Sequence, residues 1–175
     1  LQVDHDYPNI FFIEEEHLNI FDNQLKTIRK KITLMELKKI QENKENYGQQ
    51  AERFVFEFEI KRLCNHPHKE KIRIISDSDV SAGFDIVSFD ENNSIIPDRF
   101  IETKSYSRNA NFYWSENEIS TAKKLGGRYY IYLVDREKII RDGYVPTIIK
   151  NPYQNIYNKP KDWHGKPISW FFVKV

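Results

Sequence analysis

The chain has 175 residues, enough for one compact domain with a core, and its 39% apolar and 14% aromatic content excludes a disordered tail. A formal charge of +1, from 27 basic and 26 acidic residues, argues against tight non-specific DNA binding by this piece alone, and is silent on a local basic patch. The single cysteine, Cys64, excludes an internal disulfide and fits a reducing, cytoplasmic compartment; no signal peptide is visible, and no apolar run is long enough to span a membrane.

In chain order, the first thirty residues carry no clear period. "NIFFIEEEHLNIFD" reads either as a strand or as a docking segment following another domain, and the start at Leu1 leads us to expect a piece of a longer protein. From Thr33 the pattern is helical: Leu34, Leu37 and Ile40 recur at three-residue spacing behind Thr33 as an N-cap. Gly48 is expected to end or bend this helix. A second helix, "QQAERFVFEFEIKRLCN", places Ala51, Val55, Phe58 and Leu63 on one face, with Glu52 and Glu59 nearly above each other, and breaks at Pro67. We divide the chain into an N-terminal extension with its leading helix, residues 1–47, and a main domain, residues 48–175.

Strand signals follow. "KIRIIS" is short and β-branched, "SDSDVSAG" is a loop, and "FDIVSF" and "RFIETKSY" are strands separated by the turn-rich "DENNS" and Pro97. "WSENEISTAKKLGG" is a helix stopped by Gly126 and Gly127. "RYYIYLVD" is a core strand with one wet side, "EKIIRDGYVPTIIK" a hairpin or bulged pair around Asp142-Gly143, and the tail "PISWFFVKV" one more strand, its Trp170 and Phe171 packing on the sheet together with Trp163. The order predicts a mixed α/β layer fold, a central sheet flanked by helices.

One feature of the strands conflicts with simple burial. Asp85 lies inside the first of the two central strands, and Glu102 and Lys104 inside the second. Alternation puts Glu102 and Lys104 on one face, and pairing of residues 83–89 with 100–105 brings Asp85 beside them. Two adjacent carboxylates repel, and a hard divalent cation relieves the repulsion while keeping several waters. Bound water then loses a proton more readily and can attack phosphorus, with Lys104 stabilising charge. The other reading of the same residues is a solvated hairpin face with one ordinary salt bridge.

Asp85, a gap of sixteen residues, then Glu102-Thr103-Lys104, with a glutamate-bearing helix ahead, resembles the PD-(D/E)xK nuclease superfamily. A closer resemblance is to a subfamily of prokaryotic restriction and defence proteins that also forms the C-terminal domain of the plant protein NO VEIN. It is carried by "GQQAERFVFEFEIKRL", "GFDIVSFD", "RFIETKS", "FYWSENEISTAKKLGGRYYIYLV" and "PTIIKNPY". The resemblance implies a restriction-endonuclease-like fold and DNA phosphodiester hydrolysis with Mg²⁺ or Mn²⁺. It implies metal ligation by Asp85 and Glu102, a catalytic amine on Lys104, and a further ligand or water-holding role for Glu52. Glu59 matches a second recurrent acid, Gly83 a glycine that lets the strand start tightly, and Phe84 stands where the founding motif has proline. The implied partners are DNA and other domains or subunits of a defence protein, such as a helicase; a homodimer suits double-strand cutting.

The remaining features have plainer readings. Ser115 and Glu118 form a capping box, with Trp114 and Ile119 as its staple; the alternative turns Glu118 or Asn117 to the cleft. Cys64, His66 and His68 lack a fourth metal ligand and read as a helix-end turn. "DSDVSAGFD" departs from a calcium loop in its glycine position and its missing closing glutamate. Arg108, Lys123, Lys124 and Arg128 read as a solvated face, with a phosphate-binding strip as the alternative. The expected activity is a metal-dependent endonuclease; its rivals are a catalytically silent nuclease-fold module that binds DNA or a partner, and an oligomerisation domain.

Overall fold

In the computed structural model, residues 2–3, 11–12, 33–76, 78–79, 81–158 and 163–165 are described. The chain divides into two units, Leu1–Asn43 and Lys44–Val175. In the first, β1 (Gln2–Val3) pairs antiparallel with β2 (Phe11–Phe12). The rest of the N-terminal stretch, and the tail expected as a final strand with Trp170 and Phe171, lie outside the described residues.

One helix, α1 (Leu34–Arg62), replaces the two expected helices. It opens on a capping box: the Thr33 hydroxyl accepts from the Glu36 amide at 3.2 Å, and Glu36 Oε2 accepts from the Thr33 amide at 2.8 Å. Gly48 does not stop the helix, because a glycine terminates one only where the chain turns left-handed, and Gly48 is not among the residues with positive φ. Its helical cost, about 1 kcal/mol against alanine, is carried by helix-favouring neighbours such as Glu45, Gln49 and Ala51. In the second unit, Ala51, Val55 and Glu59 are buried along one stripe that Leu63 extends. Phe58, expected on that face, is half-buried against the same core.

Five strands form the sheet in the order β3 (Arg73–Ile74), β4 (Ile86–Ser88), β5 (Arg99–Tyr106), β6 (Tyr129–Asp135) and β7 (Thr147–Lys150). Neighbouring pairs are antiparallel except β5 and β6, which run parallel. A parallel pair needs a crossover, and α2 (Glu116–Leu125) supplies it. The expected pairing around Asp85 is present, with Ile86 opposite Ile101 and Ser88 opposite Arg99.

Strand alternation divides the core in two. Ile86, Ile101, Tyr130, Tyr132 and Val134 pack with Ala51, Val55 and Leu63 of α1 and its C-terminal extension. Tyr129, Ile131 and Leu133 pack with Ala122 of α2, joined by Phe84, Phe100 and Trp163. The chain is therefore a mixed α/β fold with helices on both faces of a mixed sheet, compatible with the restriction-endonuclease-like architecture. All seven residues of β6 are buried, so the expected wet side does not exist: the strand is flanked by β5 and β7 and covered by a helix on each face. Among the described residues, no helix is long and apolar enough to cross a membrane.

Candidate functional site

The site begins with the backbone of β5. Phe100 belongs to the α2-side core and Ile101 to the α1-side core, so the period of two carries Glu102 and Lys104 to the α2 side. Asp85 precedes β4 and is fixed to β5 twice. Its amide donates to the Ile101 carbonyl at 2.8 Å, and its Oδ2 accepts from the Thr103 amide at 2.7 Å. The carboxylate thus substitutes for a ladder carbonyl opposite the residue between Glu102 and Lys104.

Gly83 sets up this approach. Its φ is +74°, and a Cβ there would lie 2.5 Å from Thr121 Oγ1 on α2. Its carbonyl accepts from the Tyr129 hydroxyl at 2.9 Å. Only a glycine lets the loop run this close to α2 and deliver Asp85 to the β5 edge two residues later.

Lys104 Nζ stands 2.6 Å from Glu102 Oε1 and 2.6 Å from Glu118 Oε2. Glu118 is also the capping-box residue of α2: its amide donates to Ser115 Oγ at 3.3 Å, and its Oε2 accepts from the Ser115 amide at 3.4 Å. The two readings of "SENE" are therefore both present in one side chain. Asn117 donates from Nδ2 to the Ser81 carbonyl at 2.9 Å, tying the loop before Gly83 to α2.

A pocket of about 230 Å³ opens here, lined among others by Ser76, Asp79, Asp85, Glu102, Ser115 and Glu118. Glu52 reaches it from α1 through Ser76, whose hydroxyl donates to Glu52 Oε2 at 2.7 Å. Ser76 and Asp79 were not legible as site residues, because they fall in a loop whose composition signals only a turn.

Glu59 does not line this pocket. It is fully buried under the sheet, where Arg62 binds it at 2.8 and 2.6 Å, the Ser88 hydroxyl at 2.6 Å and the Tyr132 hydroxyl at 2.8 Å. His66 is buried and stacked on Phe89; its Nδ1 accepts from the His68 amide at 3.0 Å, so Nε2 carries the proton donated to the Ser94 carbonyl at 3.1 Å. Cys64 is exposed, and this segment is a turn. Arg108, Lys123, Lys124 and Arg128 are exposed, with Lys123 over the Tyr153 ring and Arg128 over the Phe100 ring.

The electrostatics of the pocket are unbalanced. Asp79, Asp85, Glu102 and Glu118 line the pocket and Glu52 adjoins it, and among the described residues Lys104 is the cation paired with them. Burial raises the Asp85 carboxyl to about 7; the Thr103 amide opposes this, and the charge of Glu52 adds to it. Burial pushes Glu102 well above the ordinary range, and the neighbouring Asp85 charge pushes it further. Burial pulls the Lys104 amine down, but Glu102 and Glu118 overcome it and hold the amine above its usual value.

These residues fit a divalent cation. Among the described residues, no group of three or more His, Cys, Asp or Glu forms a ready-made cage. Mg²⁺ does not require one, since it is held by one or two carboxylates and several waters. Asp85 and Glu102 would supply the two carboxylates, among the described residues Lys104 is shared between Glu102 and Glu118 and leaves Asp85 without an ion pair, and the pocket has room for a hydrated ion.

No curated protein and no solved structure matches the chain. The family model for the C-terminal domain of the protein NO VEIN matches residues 51–142, just over half of the sequence. That stretch runs from the buried half of α1 through β6 and contains every residue of the pocket named above. The chain belongs to the NO VEIN C-terminal domain family.

Proposed function

We propose that this chain is a PD-(D/E)xK-type deoxyribonuclease domain of a restriction or defence protein, hydrolysing DNA phosphodiesters with Mg²⁺ or Mn²⁺. The observation that carries the reading is the surplus of carboxylates over cations among the described residues at one pocket, with the Lys104 amine bound to two of them at its wall. Asp85 and Glu102 would hold the ion, and Glu52 would support it from α1 through Ser76. The ion, when bound, polarises a phosphoryl oxygen and makes water a better nucleophile at neutral pH. Lys104 supplies hydrogen-bond donors to the attacking oxygen or to charge developing on phosphate.

The test is nicking of supercoiled plasmid by the full chain with Mg²⁺, with Mn²⁺ and with EDTA. Cleavage is expected with either metal, absent with EDTA, and lost in Asp85→Ala and Lys104→Ala. Cleavage that survives either substitution defeats the proposal. The full engagement of Lys104 by two carboxylates, together with the near-zero net charge, favours as a second reading a silent nuclease-fold module. It requires binding of DNA or a partner without cleavage under any metal.

A further inference from the structure

Lys104 has two anionic partners, and they belong to different elements. Glu102 is two residues away on β5, and it is one of the carboxylates that would serve a cation. Glu118 belongs to the first turn of α2 and is held there by the hydrogen bond its backbone amide donates to Ser115 Oγ. We propose that Glu118 is a positioning residue: it holds the Lys104 amine at the pocket wall from α2 when Glu102 gives its charge to a cation.

The distances support this division of labour. Glu118 Oε2 accepts from Lys104 Nζ at 2.6 Å and from the Ser115 amide at 3.4 Å, so the lysine contact is the strong one and the cap contact the weak one. The helix start does not depend on that oxygen, because Ser115 Oγ independently accepts the Glu118 amide. The Lys104 and Glu118 side chains are 14% and 19% exposed, which places their contact at the pocket wall and not on open surface. A lysine stem is long and flexible, and both carboxylates that hold the Lys104 amine line the pocket, so an amine that lost both would no longer hold one direction. The sequence makes α2 the fixed end. Ser115 caps it, Asn117 ties it to the Ser81 carbonyl, and Thr121 packs against Gly83. The consequence for turnover rests on the nuclease reading above; the clamp itself does not.

The clamp is tested without metal, on the full isotopically labelled chain, by NMR of the Lys104 ammonium group, whose visibility reports protection from solvent exchange. Glu102→Gln mimics a Glu102 whose charge is already committed. The signal is expected to persist in the wild type, in Glu102→Gln and in Ser115→Ala. It is expected to vanish in Glu102→Gln/Glu118→Ala. Glu118→Gln, which keeps an acceptor but not the charge, is expected to fall between, and it decides the question if the alanine variant does not fold. Equal protection in Glu102→Gln with and without Glu118 overturns the proposal.

Where the wild type nicks plasmid, Glu118→Ala is expected to lower kcat by about 100-fold, the scale of a misplaced catalytic group. KM for plasmid should stay within about twofold, and Kd for Mn²⁺ should rise far less than kcat falls, since positioning acts on the chemical step. A loss of Mn²⁺ affinity that tracks kcat would make Glu118 a ligand and overturn the proposal. A wild type that binds Mn²⁺ without nicking refutes the nuclease reading alone, and the ammonium spectra still decide the clamp.

Discussion

Asp85 performs two tasks that oppose each other. Its oxygen replaces a ladder carbonyl for the Thr103 amide, which fixes its position, and its burial beside Glu102 and Glu52 makes its ionisation costly. With a folded value near 7 against about 3.9 in an unfolded chain, the native state binds more protons than the unfolded state between those limits. Stability of the metal-free protein therefore falls as pH rises from about 4 to about 7. Asp85→Asn keeps an acceptor for Thr103 and cannot ionise. In urea denaturation with EDTA at pH 8, it should be more stable than wild type by about 1–3 kcal/mol, discounted because Glu102 competes for the same proton. The advantage should vanish near pH 4, and the same variant should lose metal binding, as a trade of function for stability. A destabilised Asp85→Asn at pH 8 would show that Asp85 is a structural hydrogen-bonding residue and not a strained ligand.

At the scale of elements, α1 separates what a sequence shows from what it hides. Glu52 and Glu59 lie seven residues apart on one side of the helix, yet about 10 Å along its axis they meet different neighbours. Glu52 reaches Ser76 at the pocket; Glu59 is enclosed by Arg62, Ser88 and Tyr132. Period alone cannot distinguish them, because the difference is made by β4 and β6, whose positions depend on the whole sheet. By contrast, Asp85, Glu102 and Lys104 were legible, since strand alternation and one hairpin suffice to bring them together. The dual role of Glu118 was legible only as two alternatives, because spacing does not say how far a capping side chain leans. Glu59→Ala should cost about 3–5 kcal/mol, since it leaves Arg62 without its carboxylate and two buried hydroxyls without their acceptor. Mn²⁺ affinity of the folded fraction should not change; a parallel loss of affinity would move Glu59 into the site. Gly48 offers the opposite experiment. A Cβ there meets nothing within 4 Å, so Gly48→Ala should stabilise the continuous helix by about 0.5–1 kcal/mol in chemical denaturation. A loss of stability would mean that the helix needs a bend at that point.

For the whole molecule, the near balance of charge conceals a local excess. The chain carries +1 in total, while among the described residues the pocket and its wall gather five carboxylates, Asp79, Asp85, Glu102, Glu118 and Glu52, around one amine. Strands buried between two helical layers leave those groups little freedom to separate, so their repulsion is relieved either by protons or by a cation. The two routes have opposite pH dependence. Protons relieve it below about pH 7, where Asp85 is neutral; a cation relieves it above, where Asp85 must be ionised to bind. Mg²⁺ should therefore raise the thermal midpoint of the full chain more at pH 8 than at pH 5.5. At a concentration ten times Kd the gain is about 1.4 kcal/mol, and for a chain of this size that is roughly 2–6 °C. Potassium chloride at matched ionic strength should give no such shift, EDTA should reverse it, and Asp85→Asn should abolish it. A midpoint that ignores Mg²⁺ at both pH values would leave the surplus charge to protons alone, and the fold would then be a scaffold without a metal centre.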